Sequence, residues 1–323
     1  MKTILITGGA GFIGAHTAKA LLERGDQVVI LDDFNDRYDP ALKEARVAEL
    51  LGGFKPKVIR GSILDAALLE SLFAERRFDT VIHLAAWASV QTSIERPEVY
   101  AAANVDGTVN VLESSRKHGV QHVVFASSSS VYGGLTDLPF RESASILHPI
   151  SPYAATKVAG EVLCSTWWHL YHMPITCLRF FTVYGPWGRP EMAYFRFAER
   201  ILAGQPLQMR GKDTMRDFTY IDDIVQGVLA AVDQPHDFAV FNLGEHDPVP
   251  LPRFIAAFET ALDTKAIIEE VALPAGDVPA TYADISLAQA ELGYAPTTKI
   301  EEGVGKFVEW YQRWYVSHFS RKG

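Results

Sequence analysis

Through the first half of the chain, short β-branched runs alternate with stretches of helical periodicity. The runs at 3–7, 27–32, 57–63, 80–85, 122–127 and 174–181 are apolar at consecutive positions rather than at every second one. That pattern predicts strands buried on both faces of a parallel sheet. Between the first two runs, Ile13, Thr17, Ala20 and Leu21 recur at helical spacing, and Gly25 stands where a helix end favours glycine. Strands separated by helices predict an α/β fold, a parallel sheet doubly wound by helices.

The alternation breaks after Phe181. Gly185-Pro186-Trp187-Gly188-Arg189-Pro190 reads as a loop, followed by a helix over 191–203 and short irregular strands. A helix over 222–232 and a strand over 238–243 fit a return to the main sheet, and the tail ends in an aromatic-rich helix over 301–315. The expected organisation is a larger nucleotide-binding domain, residues 1–181 plus 222–248, and a smaller C-terminal α/β domain for substrate, residues 182–221 plus 249–323.

Composition narrows the function classes. At 323 residues and 48% hydrophobic the chain has the apolar content for a large core, and 11% aromatic residues argue against disorder. A formal net charge of −9 with no Lys/Arg block makes nucleic acid and anionic membranes poor partners. Cys164 and Cys177 each lie in an apolar run and read as small core residues of a reducing compartment. The apolar run 4–6 is too brief for a signal peptide, and no window approaches a ~20-residue membrane span. These features predict a cytoplasmic protein. The histidines lack the paired spacing of a metal site, so no metal is expected, and His83 reads as a core residue of its strand.

Two motifs carry chemistry. Gly8-x-x-Gly11-x-x-Gly14 lies between the first strand and the first helix, where glycines let backbone N–H groups approach a pyrophosphate that the helix N-terminus then stabilises. Asp32, at the end of the second strand, follows at the distance expected of a carboxylate that holds an adenosine ribose. Its charge disfavours a 2′-phosphate, so NAD is expected rather than NADP. In Ser151-Pro152-Tyr153-Ala154-Ala155-Thr156-Lys157, Ser151 suits an N-cap and Pro152 the first helical position. Tyr153 and Lys157 then share a helix face, and an ammonium beside a phenol favours the phenolate, a base near neutral pH. The strand ending in Ser127-Ser128-Ser129-Ser130-Val131-Tyr132-Gly133 brings hydroxyls to the same region.

Together these features resemble the extended short-chain dehydrogenase/reductase family, in particular its nucleotide-sugar epimerases and dehydratases, over essentially the whole chain. The resemblance implies a Rossmann sheet, NAD as cofactor, a UDP-sugar as partner, a homodimer, and Ser128, Tyr153 and Lys157 as catalytic residues. It further implies cofactor contacts from Gly8, Gly11, Phe12, Ile13, Gly14, Asp32, Asn35, Ile63, Leu84, Ala85 and Asn104, besides Tyr153 and Lys157. The dimer would pair the helices starting at Ser151 and near Pro97, with Tyr100, Trp167 and Trp168 supplying apolar surface. Within the family the pattern is most similar to UDP-glucuronate 4-epimerases. The similarity lies in residues 31–46, with Arg37, Tyr38, Lys43 and Arg46, in residues 178–193, and in Gly276-Asp277-Val278-Pro279-Ala280-Thr281. The chain departs from the family at Ser62, Gln91 and Arg210, where Asp, Arg and an aromatic residue are usual.

Such a reaction oxidises the sugar at C4, turns the 4-keto sugar and reduces it on the other face. With glucuronate the ketone lies β to a carboxylate, so the site must hold that group to prevent loss of CO2. Ser128, Ser129, Ser130 and Thr182 are candidates for hydrogen bonds to the sugar, and Asp277 is a further substrate residue. Arg216 is a candidate diphosphate clamp through its planar fork. Arg189 has two readings, a cation for the carboxylate or a gate. Related decarboxylases and dehydratases carry acids just before V-Y-G, where this chain has Ser129 and Ser130, which favours epimerisation. The alternatives are a UDP-glucose 4-epimerase and a non-catalytic NAD-sensing protein.

Overall fold

The computed structural model describes residues 1–273 and 277–319. Its strands are β1 (Thr3–Thr7), β2 (Gln27–Asp32), β3 (Lys57–Arg60), β4 (Thr80–His83), β5 (His122–Ser128), β6 (Ile175–Phe180), β7 (Thr182–Tyr184), β8 (Pro206–Arg210), β9 (Met215–Tyr220), β10 (Phe238–Leu243), β11 (Pro248–Pro250) and β12 (Ile267–Val271). Seven of them form one parallel sheet in the order β10-β6-β5-β4-β1-β2-β3. The strand order reverses between β1 and β4, so a crevice opens there at the carboxyl ends of the strands.

The consecutive apolar positions have the meaning expected of them. Ile4, Ile6, Val28, Ile30, Ile82 and Val124 face one core, together with Ala18 and Leu21 of the helix Phe12–Glu23. The intervening Leu5, Val29, Leu31, Val81, Val123 and Phe125 face a second core with Leu69, Leu72, Val111 and Cys164. Alternate residues of each strand thus enter opposite helix layers, as a doubly wound sheet requires. His83 is buried between the Thr7 and Thr108 hydroxyls, at 2.7 and 3.1 Å, and burial lowers its pKa to about 3. Cys164 and Cys177 are buried and unlinked.

β10 pairs with β6 along its whole length, which places the expected returning strand on the main sheet. β3 and β4 end earlier than the apolar runs suggest. Beyond β4, residues Leu84 and Ala85 leave the sheet and cross over Gly8, so closely that a Cβ on Gly8 would lie 2.7 Å from the Ala85 nitrogen. The remaining strands form a three-stranded sheet, β11-β9-β7, and a two-stranded one, β12-β8. Aromatic packing dominates beside them: Phe218 stacks on Phe254 at 4.0 Å, and Phe307 meets Tyr194 and Phe195 edge-on. The C-terminal helix runs Ile300–Trp310 and continues as a π-turn over Tyr311–Tyr315.

Candidate active site

A cleft of about 1480 Å³ runs along the carboxyl ends of the main sheet and under β8 and β9. At its base, Gly8 adopts φ +72° and the helix Phe12–Glu23 begins at Gly11 with no side chain capping it. Its first N–H groups therefore remain available to an anion. A Cβ on Gly14 would collide with the Gly8 carbonyl, and one on Gly11 would lie 2.9 Å from it, so the cradle accepts only glycine. Asp32 accepts from the N–H groups of Ala10 (3.1 Å) and Phe34 (2.9 Å) and pairs with Lys43 at 3.3 Å. The donor set fits an adenine dinucleotide: free helix-end amides for a pyrophosphate and a fixed carboxylate for a ribose.

Ser151 caps the helix Pro152–Tyr171, its hydroxyl accepting from Ala154 N at 3.1 Å. That start sets the rotation of the helix and puts Tyr153 and Lys157 on the cleft wall beside Ser128. Lys157 donates to the Ala126 carbonyl at 2.7 Å, and burial lowers its pKa to about 8. Burial raises the Tyr153 pKa, against the opposing pull of a Ser128 hydrogen bond and of the Arg189 and Arg37 charges. The cations that oppose the effect of burial on the phenol include Arg189 and Arg37, while the Lys157 ammonium hydrogen-bonds a carbonyl of β5. Ser128 also accepts from Ser130 N at 3.2 Å, in the turn Ser129–Tyr132.

Beneath this wall lies a buried network. Glu161, two turns beyond Tyr153 on the helix, receives Arg179 in bidentate fashion at 2.8 and 2.7 Å and the Ser127 hydroxyl. Arg179 also donates to the Tyr132 hydroxyl, which donates to Asn242 of β10 at 2.6 Å. The helix bearing Tyr153, the strand bearing Ser128 and the V-Y-G turn are thereby fixed to one another.

Most residues singled out in the sequence line the cleft: Gly8, Gly11, Phe12, Ile13, Gly14, Asp32, Asn35, Ile63, Leu84, Ala85, Ser128, Ser129, Ser130, Tyr153, Lys157, Thr182, Arg189, Arg216 and Asp277. Gly276 lies outside the described residues. Asn104 sits behind the wall. Its amide is spent on both backbone groups of Trp87 and on Thr156, so it positions the Trp87 segment. Tyr100 corrects an expectation: it has no exposed surface and packs edge-on against Tyr153 at 6.2 Å, so it offers nothing to a partner subunit. Arg216 donates to the Met215 and Pro279 carbonyls, and burial lowers its pKa against the pull of Asp277. Arg189 donates to the Ala88 carbonyl and lies 3.4 Å from Glu191.

Sequence reasoning gave no role to Arg37, Lys43, Arg46 or Glu191. Arg37 reaches Glu191 at 3.3 Å and the Tyr100 hydroxyl at 3.0 Å. A usable signal was present: Lys43 and Arg46 fall on the buried face of the helix Pro40–Leu51, beside Leu42 and Leu51. Basic residues at such positions need a partner or a ligand.

Comparison with known proteins agrees with this geometry. UDP-glucuronate 4-epimerase 4 of Arabidopsis thaliana is 47% identical over 334 residues, covering 97% of this chain and 76% of that one. A solved structure of UDP-glucuronic acid 4-epimerase from Bacillus cereus, in complex with UDP-glucuronic acid and NAD, is 34% identical with a TM-score of 0.90, covering 96% and 99% of the two chains. UDP-glucose 4-epimerase of Thermotoga maritima, with UDP-glucose, superposes with a TM-score of 0.88 at 31% identity, covering 96% and 99%. Residues 4–244, from β1 through the end of β10, match the family pattern described as NAD dependent epimerase/dehydratase. With its glycine cradle, its tyrosine–lysine helix and relatives of this similarity, the chain belongs to the NAD dependent epimerase/dehydratase family.

Proposed function

We propose that this chain is an NAD-dependent UDP-glucuronate 4-epimerase, interconverting UDP-glucuronate and UDP-galacturonate through a transient 4-keto sugar. One observation carries the reading. The cleft that holds Tyr153, Lys157 and Ser128 also gathers Ser129, Ser130, Thr182 and Arg189, hydroxyls and a cation suited to a sugar carboxylate. The relatives named above support it, as does the absence of an acid at residues 129 and 130. Bound in the glycine cradle, NAD supplies reversible hydride acceptance at the sugar's C4.

The chain's own residues do the rest. Tyr153 removes the 4-hydroxyl proton and later returns it, Ser128 shares the hydrogen bond of the developing alkoxide, and Lys157 orients the tyrosine and the cofactor ribose. Arg216 holds the diphosphate, with Asp277 beside it. Ser129, Ser130, Thr182 and Arg189 restrain the carboxylate while the ring turns. Residues 1–181 with 222–248 serve the cofactor, and residues 182–221 with 249–323 serve the sugar nucleotide.

Among the described residues no helix is long and apolar enough to cross a membrane. A cytoplasmic location rests on the unlinked cysteines and on the acidic charge. A homodimer rests on the helix Pro152–Tyr171, which exposes Val162 and Leu170; light scattering at micromolar concentration checks it. The central test incubates the protein, without added cofactor, with UDP-glucuronate and separately with UDP-glucose, and reads products by proton NMR. UDP-galacturonate as the dominant product supports the proposal. Equal turnover of both sugars moves the assignment to a broad UDP-hexose 4-epimerase.

A further inference from the structure

A fully buried arginine ties the glycine cradle to the loop that carries Arg189. Arg46 has no exposed surface. Its guanidinium donates to the carbonyls of Trp187 (2.7 Å), Gly188 (2.8 Å) and Ala10 (3.3 Å), and to the Tyr38 hydroxyl (2.6 Å). Every acceptor is neutral, and among the described residues no carboxylate stands within ion-pair distance of it. Burying a cation in this way is costly unless each donor is satisfied. Arginine achieves it because its planar fork reaches several fixed acceptors at once, which an ammonium does not.

The segments it joins are the ones the reaction needs. Ala10 stands between Gly9 and Gly11, and its N–H donates to Asp32 while its carbonyl accepts from Arg46, so the backbone of one residue links Asp32 to Arg46. On the other side Trp187 adopts φ +63°, a left-handed conformation that is strained for a bulky residue. Its ring is held 4.1 Å from that of Trp314 and 5.2 Å from that of Trp310. Arg46 bonds the carbonyl of this strained residue and of the next one, immediately before Arg189.

We infer that Arg46 is a positioning residue: it fixes the Arg189 loop against the glycine cradle and thereby sets the preference for an acidic over a neutral sugar. The inference rests on the reading of Arg189 as a partner of the sugar carboxylate. The test compares Arg46→Lys and Tyr38→Phe with the unmutated protein by three measurements. These are the melting temperature, the nicotinamide released on denaturing gel-filtered protein, and the ratio of kcat/KM for UDP-glucuronate to that for UDP-glucose.

In folded Arg46→Lys the ratio falls on the order of 10–100-fold, chiefly through KM for UDP-glucuronate, because a small displacement of a binding group is costly. Retained nicotinamide falls with it. Tyr38→Phe removes one neutral acceptor, leaves the cation its other three, and shifts both readouts the same way by a few-fold. It decides the matter if Arg46→Lys does not fold. A folded variant whose ratio and retained nicotinamide both match the unmutated protein overturns the inference. If the unmutated protein itself shows no preference for UDP-glucuronate, the reading of Arg189 fails instead. Retained nicotinamide in the variants then decides alone: a fall supports Arg46 as the anchor of the cradle, and no change overturns it.

Discussion

Replacing Glu161 with methionine isolates what holds the catalytic helix in place. Glu161 and Arg179 are both about 95% shielded from solvent, with side-chain exposures of 5% and 4%. Removing the carboxylate takes two charge-assisted bonds from Arg179 and the acceptor from Ser127, leaving a buried guanidinium with only the Tyr132 hydroxyl and the Glu142 carbonyl. Stranding one member of a buried pair costs about 3–5 kcal/mol. With an unfolding entropy of roughly 2 cal/mol/K per residue, a chain of 323 residues loses about 4–7 °C in melting temperature. The double variant Glu161→Met/Arg179→Met removes both charges and fills the space with apolar atoms, so it should recover a large part of that loss. Scanning calorimetry of the three proteins at pH 7 makes the comparison. A double variant that melts lower than the single one would refute the reasoning, because the cost would then come from lost packing rather than from a stranded charge.

Tyr153→Phe keeps the ring and removes the base, so turnover should fall about 10²–10⁴-fold while nicotinamide stays bound; activity within a few-fold of normal in an NMR assay contradicts the role. Ser129→Ala/Ser130→Ala should erode the preference for UDP-glucuronate and let UDP-pentose accumulate through lost CO2, which chromatography of the products detects. The third concerns pH. Burial and the nearby Asp223, Asp217 and Asp247 raise Glu245 from 4.5 to about 8, against the pull of Lys299. Between those values the native state binds more protons than the unfolded one, so this group makes stability fall as pH rises from 4.5 to 8. Glu245→Gln should therefore gain melting temperature relative to the unmutated protein across that window, with the gap level above pH 8; a gap that shrinks with pH would show the sign to be wrong.

The sheet was legible because its signal is local and strong. Consecutive apolar residues in β1, β2, β5 and β6 can only be buried on both faces, and Gly8, Gly11 and Gly14 stand at a turn where backbone must come close. The tyrosine–lysine helix was equally plain, since Ser151 and Pro152 mark its first turn. What escaped were contacts between distant segments. Arg37 meets Glu191 across 154 positions and Arg46 meets Trp187 across 141, and no periodicity reports such a pairing. Tyr100 was misplaced for the same reason. The π-turn Ala102–Asp106 carries the Asn104 amide onto Trp87 and Thr156, and helix spacing alone does not predict that turn.

The return of the chain to β10 has a consequence for any attempt to divide this protein. All six residues of β6 are buried, and one of its two edges is covered by a strand that arrives some sixty residues later. A fragment ending at Phe181 would therefore carry every glycine of the cradle and both Tyr153 and Lys157, yet present a bare apolar edge with a row of unpaired amides and carbonyls. Such an edge recruits strands from other chains. The fragment is a template for aggregation rather than a minimal dinucleotide-binding module, and a soluble one would need β10 restored, by fusion or as a separate peptide laid along β6.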